Sequence, residues 1–261
     1  MSTIAPVAVS TQSTSNNIGG NVDLSDVGEG LDTLDSYQTN FTMSFNGTAD
    51  GKPTQWNWTT LEEFVKNPAA KHSKVTSANT GIADTGFESW EVHGKSYTAF
   101  GTICAQADSD TPPTSGSSFT PSSIIGNIQG AQLLGSETVN GIPAQHFAVD
   151  VSRFAALGNR TGGKSEVWVA MPGGYVVKYF YQATGADSFF ATGANSQGTI
   201  RWDYEVKNIN QPINIEPPAD CGQAAADIPI LPDAKNNSSF GEMSTYTSAT
   251  NFNDAVNFYK T

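Results

Sequence analysis

Cationic residues are scarce: 13 Lys+Arg stand against 25 Asp+Glu in 261 residues, for a formal net charge of -12. That balance excludes nucleic acid as a partner, because phosphate binding needs clustered cations to displace counterions. Simple electrostatic docking on anionic lipid is excluded on the same ground. Cysteine is almost as rare. Cys104 and Cys221 are the two present, too few for a disulfide-stapled miniprotein and without the close spacing of a CxxC redox or zinc site. A single bridge is the expectation, with two buried free thiols as the alternative; closing so long a loop removes roughly 4 to 5 kcal/mol of unfolded-state entropy.

The three histidines, His72, His93 and His146, do not fall at HxxxH spacing, so no metal site is expected; each reads as a satisfied or exposed strand histidine. GxSxG, SxxK, GxxxxGK[ST] and a complete GxGxxG are all missing. The adjacent acids Glu62 and Glu63 read as solubilising charges with no partner for acid/base work. No catalytic constellation and no cofactor are expected, and the chain reads as non-enzymatic. Nor does any stretch approach the ~20 apolar residues of a membrane-spanning helix. The polar, Ser/Thr-rich opening, Ser2 to Asn21, reads as a tether whose export signal is missing.

Charged residues make up 15% of the chain, while Gly, Ser, Thr and Asn abound, a composition suited to turn-rich β structure outside the cytoplasm. Strict alternation places Tyr37, Phe41, Met43 and Phe45 on one face of a strand over Asp35 to Phe45, with Asn46-Gly47 as the following turn. Further strands are expected at Gln55 to Thr60, with Trp56 and Trp58 on a shared face, and at Lys71 to Ala78, Phe87 to Val92 and Lys95 to Ile103, the last two joined by a His93-Gly94 turn. Ala105 to Pro121 reads as a loop, and Ser122 to Ile128 as a short apolar, helical segment.

Asn140-Gly141 predicts a tight hairpin with Val139 opposite Ile142 and Leu134 opposite Phe147. A second hairpin around Pro172-Gly-Gly is expected to pair Trp168 with Tyr179. Thr199 to Lys207 alternates again, with Ile200, Trp202, Tyr204 and Val206 on one face. Five prolines between Gln211 and Asp233 mark a linker, after which Phe240 to Thr247 reads as a strand and Asn251 or Asn253 as a helix cap. So many successive twisted strands curl toward a barrel or part of one.

Three segments, in this order, carry a family resemblance: Leu34-Asp-Ser-Tyr-Gln-Thr-Asn-Phe-Thr-Met, Val139-Asn-Gly-Ile-Pro-Ala-Gln-His-Phe, and Glu166-Val-Trp-Val-Ala-Met-Pro-Gly-Gly-Tyr-Val-Val-Lys-Tyr. Over residues 31–210 the chain resembles the LolA-like lipoprotein carriers, in particular the LppX/LprG-type bacterial envelope lipoproteins. The resemblance implies a mainly β, α+β fold: a strongly curved antiparallel half-barrel closed by short helices, with a hydrophobic cavity for acyl chains. Residues 1–30 would be a tether and lead-in, 31–222 the half-barrel, and 223–261 a linker and a partial second module.

Strand parity nominates Phe41, Phe45, Trp58, Phe147, Val149, Trp168, Tyr179, Trp202 and Tyr204 as cavity residues. The expected partner is a lipid or acyl-chain ligand, with an envelope protein as a further partner. The chain is expected to be an extracytoplasmic monomer of the bacterial cell envelope, with membrane contact only through an N-terminal anchor missing from this chain. A surface protein-interaction or sensor module with a filled core is the alternative.

Overall fold

The computed structural model describes residues 21–24, 29–79, 82–101, 103–109, 111–115, 128–151, 160–186, 195–219, 221, 229–240 and 243–260. Fourteen strands follow in chain order: β1 Asn21–Leu24, β2 Ser36–Ala49, β3 Lys52–Lys66, β4 Ala69–Asn79, β5 Ile82–Val92, β6 Lys95–Phe100, β7 Ile103–Asp108, β8 Ile128–Val139, β9 Ile142–Ala148, β10 Arg160–Ala170, β11 Val176–Gly185, β12 Ser196–Lys207, β13 Lys235–Phe240 and β14 Met243–Thr247. A short 3-10 turn covers Glu29–Thr33, and among the described residues one α-helix, α1, covers Phe252–Phe258. The strands form one open antiparallel sheet in the order β1-β8-β9-β10-β11-β12-β2-β3-β4-β5-β6-β7-β13-β14, curved as a half-barrel.

Two meanders, β8–β12 and β2–β7, therefore meet along β12 and β2. Their seam is the long pairing of Ser196–Lys207 with Gln38–Ala49. Odd residues of β2 and even residues of β12 face the same way, so Phe41, Met43 and Phe45 meet Tyr204, Trp202 and Ile200 directly across the seam. This side carries the main apolar cluster and is the inner face. Period-2 alternation sends Gln38, Asn40, Thr42 and Ser44, together with Arg201, Asp203, Glu205 and Lys207, to the outer face.

Several turns differ from expectation for local reasons. Asn46-Gly47 makes no turn; β2 runs on to Ala49, and the reversal falls at Asp50 and Gly51, whose φ values are +50° and +75°. Gly47 serves the seam instead, since a Cβ there would lie 2.2 Å from the Gln197 carbonyl oxygen and 2.8 Å from the tip of the Phe45 ring. Lys95 to Ile103 splits at Gly101 (φ +60°) into β6 and β7. Ala105 to Asp108, expected as loop, pairs with Lys95–Thr98 in that hairpin.

The Asn140-Gly141 hairpin forms with Val139 opposite Ile142. Leu134 is extruded as a bulge and half exposed, so Leu133 and not Leu134 faces Phe147. The Pro172 hairpin is likewise shifted by one. The Ala170 N–H donates to the Tyr175 carbonyl at 2.9 Å, closing a longer turn than a Gly173-Gly174 pair would, and a register shift at Trp168/Val169 then sets Val167 against Tyr179 and Trp168 against Lys178.

Of the expected helical segment Ser122 to Ile128, residues 122–127 lie outside the described residues, and Ile128 opens β8. Residues 1–20 also lie outside them, while Asn21–Leu24 of the lead-in pair with β8. The Pro-rich segment after β12 crosses the outer face, where Ile213 and Ile215 cover Trp90, Val92 and Tyr97. Cys221 bonds Cys104 of β7 and pins the far end of this strap. Beyond it, the expected single strand at Phe240–Thr247 is a hairpin whose first arm, β13, extends the sheet at β7. Asn251 caps α1, its side-chain oxygen accepting from the Asp254 N–H at 3.1 Å.

Candidate ligand-binding face

Rows of side chains run across the inner face. Trp58, Met43, Trp202 and Tyr181 form one row; Thr60, Phe41, Tyr204, Tyr179, Val167 and Phe147 form the next. The rings touch in edge-on, tilted and stacked pairs: Phe41 to Trp202 at 6.4 Å, Tyr181 to Trp202 at 4.8 Å, and Phe45 on Trp56 at 6.2 Å. Such geometries suit aromatic quadrupoles, and with Met43 and Val167 between the rings they make an apolar, aromatic-rich floor.

The structure brings eight of the nine nominated residues onto this face. Phe41, Phe45, Phe147, Val149, Tyr179, Trp202 and Tyr204 are buried, and Trp58 is half-buried against them, its indole N–H donating to Thr60 Oγ1 at 3.1 Å. Trp168 departs from the set. The one-residue shift of its hairpin turns it to the outer face, where it stacks on His146.

Burial pushes the phenols of Tyr179 and Tyr204 far above their ordinary value of 10.0. At Tyr204, the neighbouring Tyr37 and Glu62 add to the effect. Ser165 donates to the Tyr179 hydroxyl oxygen at 3.3 Å and opposes the rise there. Both hydroxyls therefore stay neutral polar points within the apolar floor.

Glu62 is the inner-face residue that composition misjudges. It is 3% exposed, because alternation within β3 sends Glu63 outward and Glu62 inward. It forms the edge of a cleft of about 160 Å³ on β3–β5, lined also by Lys71, Ser73, Val75, Phe87, Ser89 and Glu91. In register, Glu62 lies beside Ser73 and Ser73 beside Ser89; Lys71 lies beside Glu91, and Val75 beside Phe87. The inner face thus passes from aromatic rings on β9–β12 and β2 to a polar, partly open cleft on β3–β5. The sequence signal for it is the alternating acid and hydroxyl pattern of Glu62, Ser73, Ser89 and Glu91, legible only once the strand pairing is known.

On the outer face two matching clusters stand apart. In β3–β5, His72 Nδ1 lies 2.9 Å from Glu63, its Nε2 lies 3.8 Å from Glu88, its ring stacks on Trp90 at 5.1 Å, and Lys74 pairs with Glu88. In β8–β10, His146 Nδ1 lies 3.1 Å from Glu137, its Nε2 lies 3.6 Å from Glu166, its ring stacks on Trp168 at 4.2 Å, and Lys164 pairs with Glu166 at 2.9 Å. The Trp168 indole N–H also donates to Glu137, and Lys178 lies over its ring at 4.6 Å. The carboxylates sit at opposite nitrogens of each imidazole, so these are cross-strand staples; no group of metal ligands is found among the described residues.

No protein-family model and no curated protein sequence matches the chain. Among solved structures it is similar to MucB, from a crystal structure of MucB in complex with MucA(peri), at 14% identity over 74% of this chain and 54% of that one, with a TM-score of 0.26. It is also similar to a DUF1329 family protein from Desulfovibrio piger, at 14% identity over 71% of this chain and 89% of that one (TM-score 0.22). A third likeness is to a protein domain from Vibrio parahaemolyticus named for outer membrane lipoprotein sorting, at 10% identity over 72% and 89% of the two chains (TM-score 0.21). The chain spans little more than half the length of MucB, and at these identities and TM-scores the likeness stops short of function.

Proposed function

We propose that the protein is a non-enzymatic, extracytoplasmic binding protein whose inner face takes a lipid or another hydrophobic ligand. The observation that carries this reading is the aromatic-rich apolar floor, which runs from Phe147 on β9 through Tyr179 and Trp202 to Trp58 on β3 and is followed there by the cleft on β3–β5. Because the rings of the floor are already buried, affinity would come from the ligand's own apolar area removed from water, at about 25 cal/mol per Å² before ordering costs. An acyl chain is suited to that interaction. The Cys104–Cys221 bond supports a place outside the cytoplasm, where disulfides persist.

A second reading takes the inner face as a filled core and places function at a protein contact. Complete burial of Phe45 and Trp202, both at 0% exposure, favours it. Quenching by a brominated fatty acid separates the two. Trp56, Trp58 and Trp202 belong to the inner face, Trp90 and Trp168 to the outer one. In a Trp90→Phe/Trp168→Phe variant, the remaining emission should be quenched saturably by the brominated chain and not by its unbrominated parent. Unchanged emission in a folded variant contradicts ligand binding at this face.

A further inference from the structure

The inner face is not covered throughout. Its row from Phe147 to Thr60 continues through Val75, Phe87, Phe100 and Ile103. Thr60 lies opposite Val75 and Val75 opposite Phe87; the Phe87 and Phe100 rings are 5.8 Å apart, and Phe100 pairs with Ile103 across the β6–β7 hairpin. Alternation accounts for the placement: Tyr97 and Ala99 turn outward to pack with Trp90 and Ile215, which leaves Thr98 and Phe100 on the inner face. Exposure rises along this continuation. Val75 is 3% exposed and Phe87 half-buried, whereas Phe100 is 53% and Ile103 43% exposed. Val75 and Phe87 also line the cleft, so the row leads from solvent into it. Ser73, Ser89 and Thr98 form the next row of the same face and bound the apolar one with hydroxyls.

The dimensions of this row select its occupant. Four adjacent strands at about 4.8 Å make it roughly 14 Å long, and it is one side chain wide. A stable protein partner buries about 800 Å² per side, far more than Phe100, Ile103 and the open edge of Phe87 present. A single alkyl chain matches a narrow apolar track with a polar border, and the track is continuous with the buried floor. We infer that an alkyl chain of the ligand lies along Phe87, Phe100 and Ile103, with its inner end in the cleft at Val75. The inference rests on the reading of the inner face as a hydrophobic-ligand site and names the uncovered part of that face which the ligand contacts.

Titration calorimetry of the full chain with dodecanol, an uncharged probe kept below its solubility limit, tests this. Three variants are compared with the unaltered protein: Phe100→Ser, Ile103→Ser and Leu134→Ser. Leu134, 50% exposed at the β8 bulge, is an equally open apolar side chain away from the row. Phe100→Ser and Ile103→Ser should each weaken binding about tenfold, the scale of one apolar side chain's contact, while Leu134→Ser leaves it unchanged. Phe100 and Ile103 are both exposed, so either substitution decides the matter should the other fail to fold. Saturable binding by the unaltered protein, with losses in folded Phe100→Ser and Ile103→Ser no larger than in Leu134→Ser, overturns the inference and leaves a hydrophobic site elsewhere on the inner face. Failure of the unaltered protein to bind dodecanol removes the hydrophobic site and the inference with it.

Discussion

Strands β3–β5 and β8–β10 hold the same staple on their outer face and opposite chemistry on their inner face. Ala70-Lys-His72-Ser-Lys-Val75 parallels Ala144-Gln-His146-Phe-Ala-Val149, and Glu88-Ser-Trp90 parallels Glu166-Val-Trp168. The outer residues of the two units coincide: a histidine between two glutamates, stacked on a tryptophan. Their inner residues diverge. Ser73, Ser89 and Glu91 in one unit stand where Phe147, Val167 and Val169 stand in the other. Because successive side chains of a strand point to opposite faces, one face can keep a strand-pairing device while the other changes from apolar to polar without altering the register. The molecule uses that independence to place an open polar cleft beside an aromatic floor.

If the apolar half carries the stability, truncating its centre should cost the most. Trp202→Ala is expected to lower unfolding free energy by about 3 to 5 kcal/mol, whereas Ser89→Ala in the polar half should stay within about 0.5 kcal/mol. Urea denaturation measures both, and equal losses would break the distinction between the halves.

The polar half depends instead on its strap. Replacing both Cys104 and Cys221 by Ser should cost about 2 to 5 kcal/mol. The accompanying rise in hydrogen exchange should fall on β4–β7 and residues 213–215, with β10–β12 little changed. Loosening confined to β10–β12 would show that the strap acts elsewhere.

Alkaline pH should act through the apolar half. Burial raises the phenols of Tyr179 and Tyr204 above 10.0 in the folded protein, so above that pH the unfolded chain releases protons that the folded chain retains. Their contribution is complete below pH 10 and falls as pH rises, by about 1.4 kcal/mol per unit for each phenol that ionises only on unfolding. A Tyr179→Phe/Tyr204→Phe variant should show a flatter alkaline limb; an unchanged slope would place the linkage at other groups.

The smallest effects sharpen the likeness between the staples. His72→Ala and His146→Ala should each cost about 1 kcal/mol, the scale of partly solvated ion pairs and hydrogen bonds. Losses that match within experimental error support equivalent roles, and a severalfold difference contradicts them.

Much of the fold is legible where alternation is strict and a turn has one solution. Asp35 to Phe45 and Thr199 to Lys207 show their inner residues directly, and the Asn140-Gly141 hairpin shows its turn and the Val139–Ile142 pair. The remainder depends on contacts distant in sequence. Asn46-Gly47 has the composition of a turn, but Gly47 is required for close approach to Gly198 across the seam. The Trp168 hairpin carries a register shift and a longer turn that its glycines do not disclose, and a shift of one residue is enough to send Trp168 outward. Leu134 illustrates the same sensitivity at the neighbouring bulge.

Eight of the nine nominated side chains reach the inner face; seven lie on strands of unambiguous parity, and Val149 follows directly on β9, its N–H donating to the Ser165 carbonyl at 2.8 Å. Glu62 was hidden for the opposite reason. Beside Glu63 it reads as surface charge, and only the pairing of β3 with β4 and β5 places it among Ser73, Ser89 and Phe87. The outer staples are equally nonlocal, since each draws its glutamates, histidine and tryptophan from three strands.

The most direct test of the binding reading is native mass spectrometry of the full chain, purified without detergent or organic solvent and then incubated with an envelope lipid extract. The account predicts a discrete adduct of lipid mass that is lost on denaturation. A protein that keeps its bare mass, both as purified and after incubation, would contradict it.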